Sequence, residues 1–210
     1  MSEPETKRAI AFIDGQNLFH AAREAFGYSF PNYDPLRLAQ EVCAGQGWQL
    51  AQVRFYTGVP DAQDNSFWNH FWTEKVAVLG TRKVFTYARL LRYQTQTVTL
   101  SDGRQHSYRT AYEKGIDVRI ALDVVNLALE DAYDVGLIFS QDQDLNEVAQ
   151  ELRRIAHQQR RWIKLASAFP VSPTSRNRRG IDRTDWIRVD KATYDRCIDP
   201  LDYRPKRKPR

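Results

Sequence analysis

Four aspartates sit where short apolar runs give way to polar residues. The apolar segment at residues 8–13 stops at Asp14-Gly15-Gln16-Asn17, and the one at residues 135–139 stops at Ser140-Gln141-Asp142-Gln143-Asp144. A third segment, Glu113-Lys114-Gly115-Ile116-Asp117, opens a long stretch of helical apolar spacing. Taken singly, each acid has an ordinary reading as a helix cap, and Asp142 or Asp144 is well placed to cap the helix that follows it. Taken together, three acidic segments at predicted strand–helix junctions suggest a carboxylate cluster. Like charges repel, so such a cluster holds a cation or is partly protonated. Hard divalent cations on carboxylate oxygens neutralise phosphate charge and make water nucleophilic, as phosphodiester cleavage requires.

Helical geometry separates two of the acids. At about 100° per residue, Ala121, Val124 and Ala128 fall within about 40° of Asp117, which puts that carboxylate on an inward, otherwise apolar stripe. A carboxylate there costs free energy unless a metal ion or hydrogen bonds compensate it. Asp123 falls about 120° away, among Arg119, Asn126 and Glu130, and reads as part of a solvated helix face.

The elements that must hold these acids follow from periodicity and punctuation. Residues 8–13 read as a buried strand and 17–26 as a helix. Asp34-Pro35 starts a second helix that runs to about Val42, with proline in its first turn. Residues 50–56 alternate as a strand, and residues 58–61 break it. Residues 66–79 form an aromatic helix in which Phe67/Phe71 and Trp68/Trp72 are spaced i,i+4; that stripe reads as core packing rather than as a stacking platform. Residues 83–87 are a further strand. The segments 93–100 and 104–111 flank Asp102-Gly103 and predict a hairpin. A helix over 116–129, a strand over 135–139, a helix over 145–156 and strands over 162–166 and 186–189 complete the pattern. Alternating strands and helices predict an α/β domain with a mostly parallel sheet covered on both faces. Sites in such sheets form beyond the carboxyl ends of the strands, where the acids lie. We expect one domain over residues 1–195, with the hairpin inserted at about 91–112. A basic, disordered tail is expected over 196–210.

Composition limits the function classes. The chain has 210 residues and a net charge of +5, unevenly spread. Residues 1–150 carry 14 Lys/Arg against 19 Asp/Glu, and residues 151–210 carry 17 against 7. An acidic site beside a basic surface suggests an anionic polymer as partner, because Lys and Arg neutralise backbone phosphates. Arg176, Arg178 and Arg179 follow Pro173 in a predicted loop and are candidate RNA contacts, since arginine forks to phosphate and stacks on unpaired bases. Arg153 and Arg154 read as solvated surface. No apolar run approaches the roughly 20 residues that span a bilayer, and residues 1–7 lack a signal peptide's apolar stretch. Cys43 and Cys197 read as free thiols, and a cytoplasmic location is expected. His20, His70, His106 and His157 are scattered, with no spacing for zinc. No nucleophile elbow or P-loop is present. Gln16 stands where a phosphatase of the haloacid-dehalogenase type needs a second aspartate.

The motifs resemble those of one family. Phe12-Ile13-Asp14-Gly15-Gln16-Asn17-Leu18 resembles the F-I-D-G-x-N-L opening of NYN domains, the branch of the PIN-like nuclease superfamily that includes the LabA/DUF88 proteins. Lys114-Gly115-Ile116-Asp117-Val118 resembles that family's K-G-V-D-V segment, and Ser140-Gln141-Asp142-Gln143-Asp144-Leu145 its S-G-D-S-D-F segment. The three occur in the family's order and span most of residues 8–167. The resemblance implies a PIN-like three-layer α/β/α sandwich and a divalent-metal ribonuclease, most simply an endoribonuclease. Mg²⁺ or Mn²⁺ would be held by Asp14, Asp117, Asp142 and Asp144. Asn17 would orient Asp14, the metal or the substrate, and Ser140 would support the site by hydrogen bonding. Lys114 matches the motif lysine and is a candidate for phosphate contact or a plain surface residue. Asp123 matches an acid seen within the helix in many relatives and belongs to a second tier. The implied partner is RNA, single-stranded or structured. The alternative is an RNA-binding or regulatory module of the same fold with little activity. Two features depart from the pattern. Gln141 replaces a glycine and is expected to narrow the site. The hairpin exceeds a minimal connection and is a candidate arm for RNA or for the second subunit of a homodimer.

Overall fold

The computed structural model describes residues 2–99 and 101–206. Its centre is a six-stranded sheet of β1 (Lys7–Asp14), β2 (Trp48–Val59), β3 (Phe85–Leu90), β6 (Val135–Phe139), β7 (Lys164–Pro170) and β8 (Asp185–Val189), in the order β3-β2-β1-β6-β7-β8. Every neighbouring pair is parallel. The chain builds outward from β1 to β3, then crosses back to lay β6 against the other side of β1. The order therefore reverses between β1 and β6, which opens a crevice at their carboxyl ends. The strands β4 (Arg92–Thr99) and β5 (Gln105–Tyr112) form the expected hairpin as a separate antiparallel pair.

Side-chain alternation along β1 divides the core. Ala9, Ala11 and Ile13 join the cluster under α1 (Gly15–Phe26), α2 (Pro35–Gln46) and α3 (Ser66–Thr81). Ile10 and Phe12 join the cluster under α4 (Ile116–Leu129) and α5 (Asn146–Gln159). The two-residue period then directs Asp14 toward the α4 side. Three layers result, as the α/β reading expects. Among the described residues no helix is long and apolar enough to cross a membrane.

Some boundaries differ from the sequence reading, for identifiable reasons. Residues 58 and 59 continue β2 instead of breaking it. Gly58 is there for close approach: a Cβ would lie 2.4 Å from Leu91 Cδ2 and 2.8 Å from Glu113 Oε2. A short helix, α6 (Lys191–Arg196), capped by Asp190, was not anticipated.

The largest correction concerns the expected tail. Residues 207–210 and Leu100 lie outside the described residues, but residues 197–203 are built into the fold. Cys197, Asp199 and Tyr203 are buried. Asp34 N–H donates to the Cys197 carbonyl at 2.7 Å, and Asp199 N–H donates to the Asn32 carbonyl at 2.8 Å. Beneath them the fully buried Lys75 donates to the Tyr33 carbonyl at 2.7 Å and pairs with Asp199 at 3.6 Å. Arg82 bridges Asp34 at 2.9 Å and Asp199 at 3.7 Å. Composition misled here because Asp199 is an internal partner of Lys75 and Arg82 and not a solvated charge. Both cysteines are buried and unpaired.

Removing one member of a buried pair strands the other. Asp199→Ala is therefore expected to cost about 3–5 kcal/mol in urea denaturation. A cost near zero would mean that the C-terminal segment is not integral to the fold.

Candidate active site

Asp14 is the last residue of β1 and the N-cap of α1. Its Oδ1 accepts the Asn17 N–H at 3.0 Å. The helix can begin this close to the sheet only because residue 15 lacks a side chain: a Cβ would lie 2.5 Å from the Phe55 ring and 3.0 Å from the Tyr56 carbonyl. Asn17 then reaches across the crevice, its Oδ1 accepting the Gln141 N–H at 2.9 Å. This bond ties α1 to the loop after β6. In that loop the buried Ser140 Oγ accepts the Asp142 N–H at 3.1 Å, and the Ser140 carbonyl accepts from Ser167 Oγ at 2.8 Å. Asp142 Oδ1 in turn accepts the Asp144 N–H at 3.0 Å and caps the single 3₁₀ turn Gln143–Leu145. Asp117 stands half-buried in the first turn of α4.

Asp14, Asn17, Asp117 and Asp142 line one cleft of about 620 Å³. Glu113 lines it as well. It belongs to the third acidic segment, of which the sequence reading singles out Asp117 and Lys114 as candidates but not Glu113. The signal available was its place directly after the hairpin, two residues ahead of Gly115, whose φ of +79° starts the helix.

The other candidates lie elsewhere. Asp144 is exposed and does not line the cleft. Lys114 is exposed. Asp123 is not on a solvated face: it is 4% exposed and packed against β2. It accepts from Arg54 Nη2 at 2.9 Å and Tyr56 Oη at 2.7 Å, and it pairs with Arg119 at 2.8 Å. Arg119 and Asp123, which looked like surface charges on the helical wheel, neutralise each other and Arg54 beneath the helix.

Arg176, Arg178 and Arg179 are exposed on the loop between β7 and β8. The residue expected to narrow the site explains how that loop is held. Gln141 does not line the cleft. Its Nε2 donates to the Arg179 carbonyl at 2.8 Å. Gln143 Nε2 donates to the Gly180 carbonyl at 3.0 Å, and Gln143 Oε1 accepts the Asp182 N–H at 3.1 Å. From α1, Glu24 accepts the Arg176 N–H at 2.6 Å. The arginine loop is thus fastened to the acid-bearing loop on one side and to α1 on the other.

Burial pushes the Asp14 carboxyl from 3.8 up to about 6, and the charges of Asp142 and Asp117 add to the shift against the opposing backbone N–H groups. Burial and the neighbouring Asp14 charge push Glu113 from 4.5 up to about 8. A raised carboxyl pKa stabilises the fold while the group is protonated, and that stability fades as pH rises through the folded value. The metal-free protein should therefore lose stability as pH rises from about 4 to about 8. Asp14→Asn keeps a capping acceptor and removes the charge. It is expected to raise metal-free stability near pH 8 by about 1–3 kcal/mol and to change little near pH 4, read by urea titration at both values. An equal effect at both would contradict the strained-cluster reading.

Three comparisons bear on kinship. No curated protein matches the sequence. Among solved structures, a protein of unknown function from Vibrio parahaemolyticus aligns over 91% of this chain and 98% of its own, with 18% identity and a TM-score of 0.49. The ribokinase of Giardia lamblia aligns over 82% of this chain and 53% of its own, with 8% identity and a TM-score of 0.37. Neither likeness bears on the site. The sequence itself matches the NYN domain model over residues 8–160, a span that takes in all three acidic segments, the hairpin and the strands β1 to β6. This chain belongs to the NYN domain family, within the PIN-like nuclease superfamily.

Proposed function

We propose that the protein is a divalent-metal-dependent ribonuclease that hydrolyses RNA phosphodiester bonds in the cleft beyond the carboxyl ends of β1 and β6. The observation that carries this reading is that Asp14, Glu113, Asp117 and Asp142, from three separate segments, line a single cleft. Every donor in the set is a carboxylate oxygen, the ligand type of Mg²⁺ and Mn²⁺. Among the described residues no three acidic, histidine or cysteine side chains already converge at coordinating spacing. The donor chemistry of the cleft nonetheless fits Mg²⁺ or Mn²⁺, which bind carboxylate oxygens.

In this reading Asp14, Asp117 and Asp142 hold the cation, with Mg²⁺ or Mn²⁺ equally suited. Asp144, exposed two residues beyond Asp142 on the same turn, adds negative charge beside that carboxylate. A cation held by these carboxylates would supply charge neutralisation for the phosphate and leaving oxygen and a more acidic water for attack. Glu113 carries its proton at neutral pH until positive charge enters the cleft, and then adds a further carboxylate. Asn17 and Ser140 hold the backbone on either side of Gln141 so that Asp142 keeps its aim. Arg176, Arg178 and Arg179 take the flanking phosphates, and Lys114 is positioned to add another.

The test is incubation of mixed RNA and DNA with purified protein in Mg²⁺ or Mn²⁺, beside Asp14→Asn and a chelator control. Loss of one metal-holding carboxylate is expected to lower RNA cleavage by at least about 100-fold. Cleavage that survives in the variant or in chelator would overturn the mechanism. RNA binding without cleavage in any metal would favour a regulatory module instead. Ligand carboxylates must be deprotonated, so the cleavage rate should rise with pH through the range of about 6 to 8 set by Asp14 and Glu113. Raising the cation concentration should move that rise to lower pH; a rise that stays fixed would mean that these carboxyls do not compete with a cation for protons.

A further inference from the structure

The cleft extends well past its acids, and its far wall is aromatic. The stripe on α3 divides there. Phe71 and Trp72 are buried, as core packing demands, although Trp72 also borders the cleft; Trp68 is only partly buried and lines it beside Asp14 and Asp117. Its indole is packed among other rings. Phe67 and Phe71 meet it edge-on with centroids 5.3 Å away, Phe30 lies at 5.8 Å and Phe19 at 6.0 Å. The N-cap bond from Trp68 N–H to Asn65 Oδ1, 3.1 Å long, fixes the backbone below it. On α1, the imidazole of His20 stands 5.3 Å from Phe19 and borders the same space, with Arg23 one turn further along. Tyr112, at the end of β5 and 40% exposed, also lines the cleft.

We infer that Trp68, flanked by His20 and Tyr112, forms a stacking subsite for one unpaired nucleobase next to the scissile phosphate, so that the substrate is a single-stranded segment and not a duplex. The inference rests on the nuclease reading of the acidic end of this cleft and adds to it the form of nucleic acid admitted. Trp68 lines the same cleft as the acids, so a strand whose phosphate lies at the acids brings its neighbouring bases into a space that this ring borders. A volume of about 620 Å³ lies within the range of roughly 300–1,000 Å³ typical of small-ligand sites. Four surrounding rings hold the indole in place, so little side-chain freedom is lost when a base settles on it. Every base has a π-face, so the contact tolerates any sequence, and Arg23 supplies a cation for the adjoining phosphate. In a duplex the base faces are already covered by their neighbours, and none is free to enter.

The test compares affinities of the full chain for a labelled single-stranded RNA, for an abasic strand with the same phosphates, and for a duplex. Binding is measured in chelator and, with Mg²⁺, in the Asp14→Asn background. The base-bearing strand is expected to bind roughly 10-fold more tightly than the abasic strand, in keeping with what stacking on one aromatic side chain contributes. Trp68→Ala should erase that ratio and Trp68→Phe should keep most of it. The abasic comparison needs no change in the protein, so it remains decisive if Trp68→Ala disturbs the aromatic cluster. Equal affinity for the two strands, tighter binding of the duplex, a ratio that survives Trp68→Ala in a folded protein, or no binding of any single strand would each overturn the subsite. Cleavage is assayed on the same wild-type preparation. Cleavage without base discrimination sinks the subsite and leaves the nuclease reading standing. Discrimination through Trp68 without cleavage does the reverse.

Discussion

Carboxylates gathered at the edge of one sheet repel each other, and in this protein much of the local architecture restrains them. Asp14 is held by the first turn of α1, whose N-terminal N–H groups and dipole favour a negative charge. Asp142 is held between the Ser140 hydroxyl behind it and the 3₁₀ turn in front. Hydrogen bonds to a charged group contribute about 1.5–3 kcal/mol each, enough to fix a carboxylate in place without neutralising it. The residual strain appears in the raised pKa values of Asp14 and Glu113. A site in this condition attracts cations, and it does so at the point in the sheet where the strand order reverses.

Charges elsewhere in the same fold are treated in the opposite way. Asp123 is as thoroughly buried as Asp14, yet it meets two arginines and a tyrosine hydroxyl. Asp199 meets Lys75, Arg82 and the Tyr203 hydroxyl, which donates at 2.7 Å. These acids have their cations built in and serve packing: one seats α4 on β2, the other seats the C-terminal segment on α2 and α3. The cleft acids have only each other and a few backbone N–H groups. That difference in partners, more than burial or position, separates candidate chemistry from scaffold.

The sequence made the parallel sheet, the hairpin and the long α4 legible because each depends on local periodicity or on a turn with one obvious chemistry. Asp14, Asp117 and Asp142 were legible because they end or begin such elements. What stayed hidden depended on contacts between distant segments. Asp123 looked solvated because a helical wheel cannot show Arg54 waiting on β2. Residues 197–203 looked like tail because their burial requires Lys75, more than a hundred positions earlier. Glu113 passed unremarked as a site residue because its burial against Gly58 and its place near Asp14 join segments far apart in sequence. The aromatic stripe was read as core, correctly for Phe71 and Trp72, but only the tertiary arrangement shows Trp68 turned to the cleft.

The paired amides of Gln141 and Gln143 bear on how this protein can vary. Loops between sheet strands usually tolerate insertion and deletion, since little depends on their path. Here the backbone of residues 179–182 is fixed by two side chains that flank Asp142 in sequence, and the bond from Asn17 to Gln141 N–H carries the same attachment back to α1. The arginines and the acids therefore share one spacing. Adding or removing a residue between Ser175 and Asp182 would shift positive charge relative to negative by a full residue step. A chain lengthened there would keep its sheet, its helices and each of its acids, yet carry its arginines out of register with them.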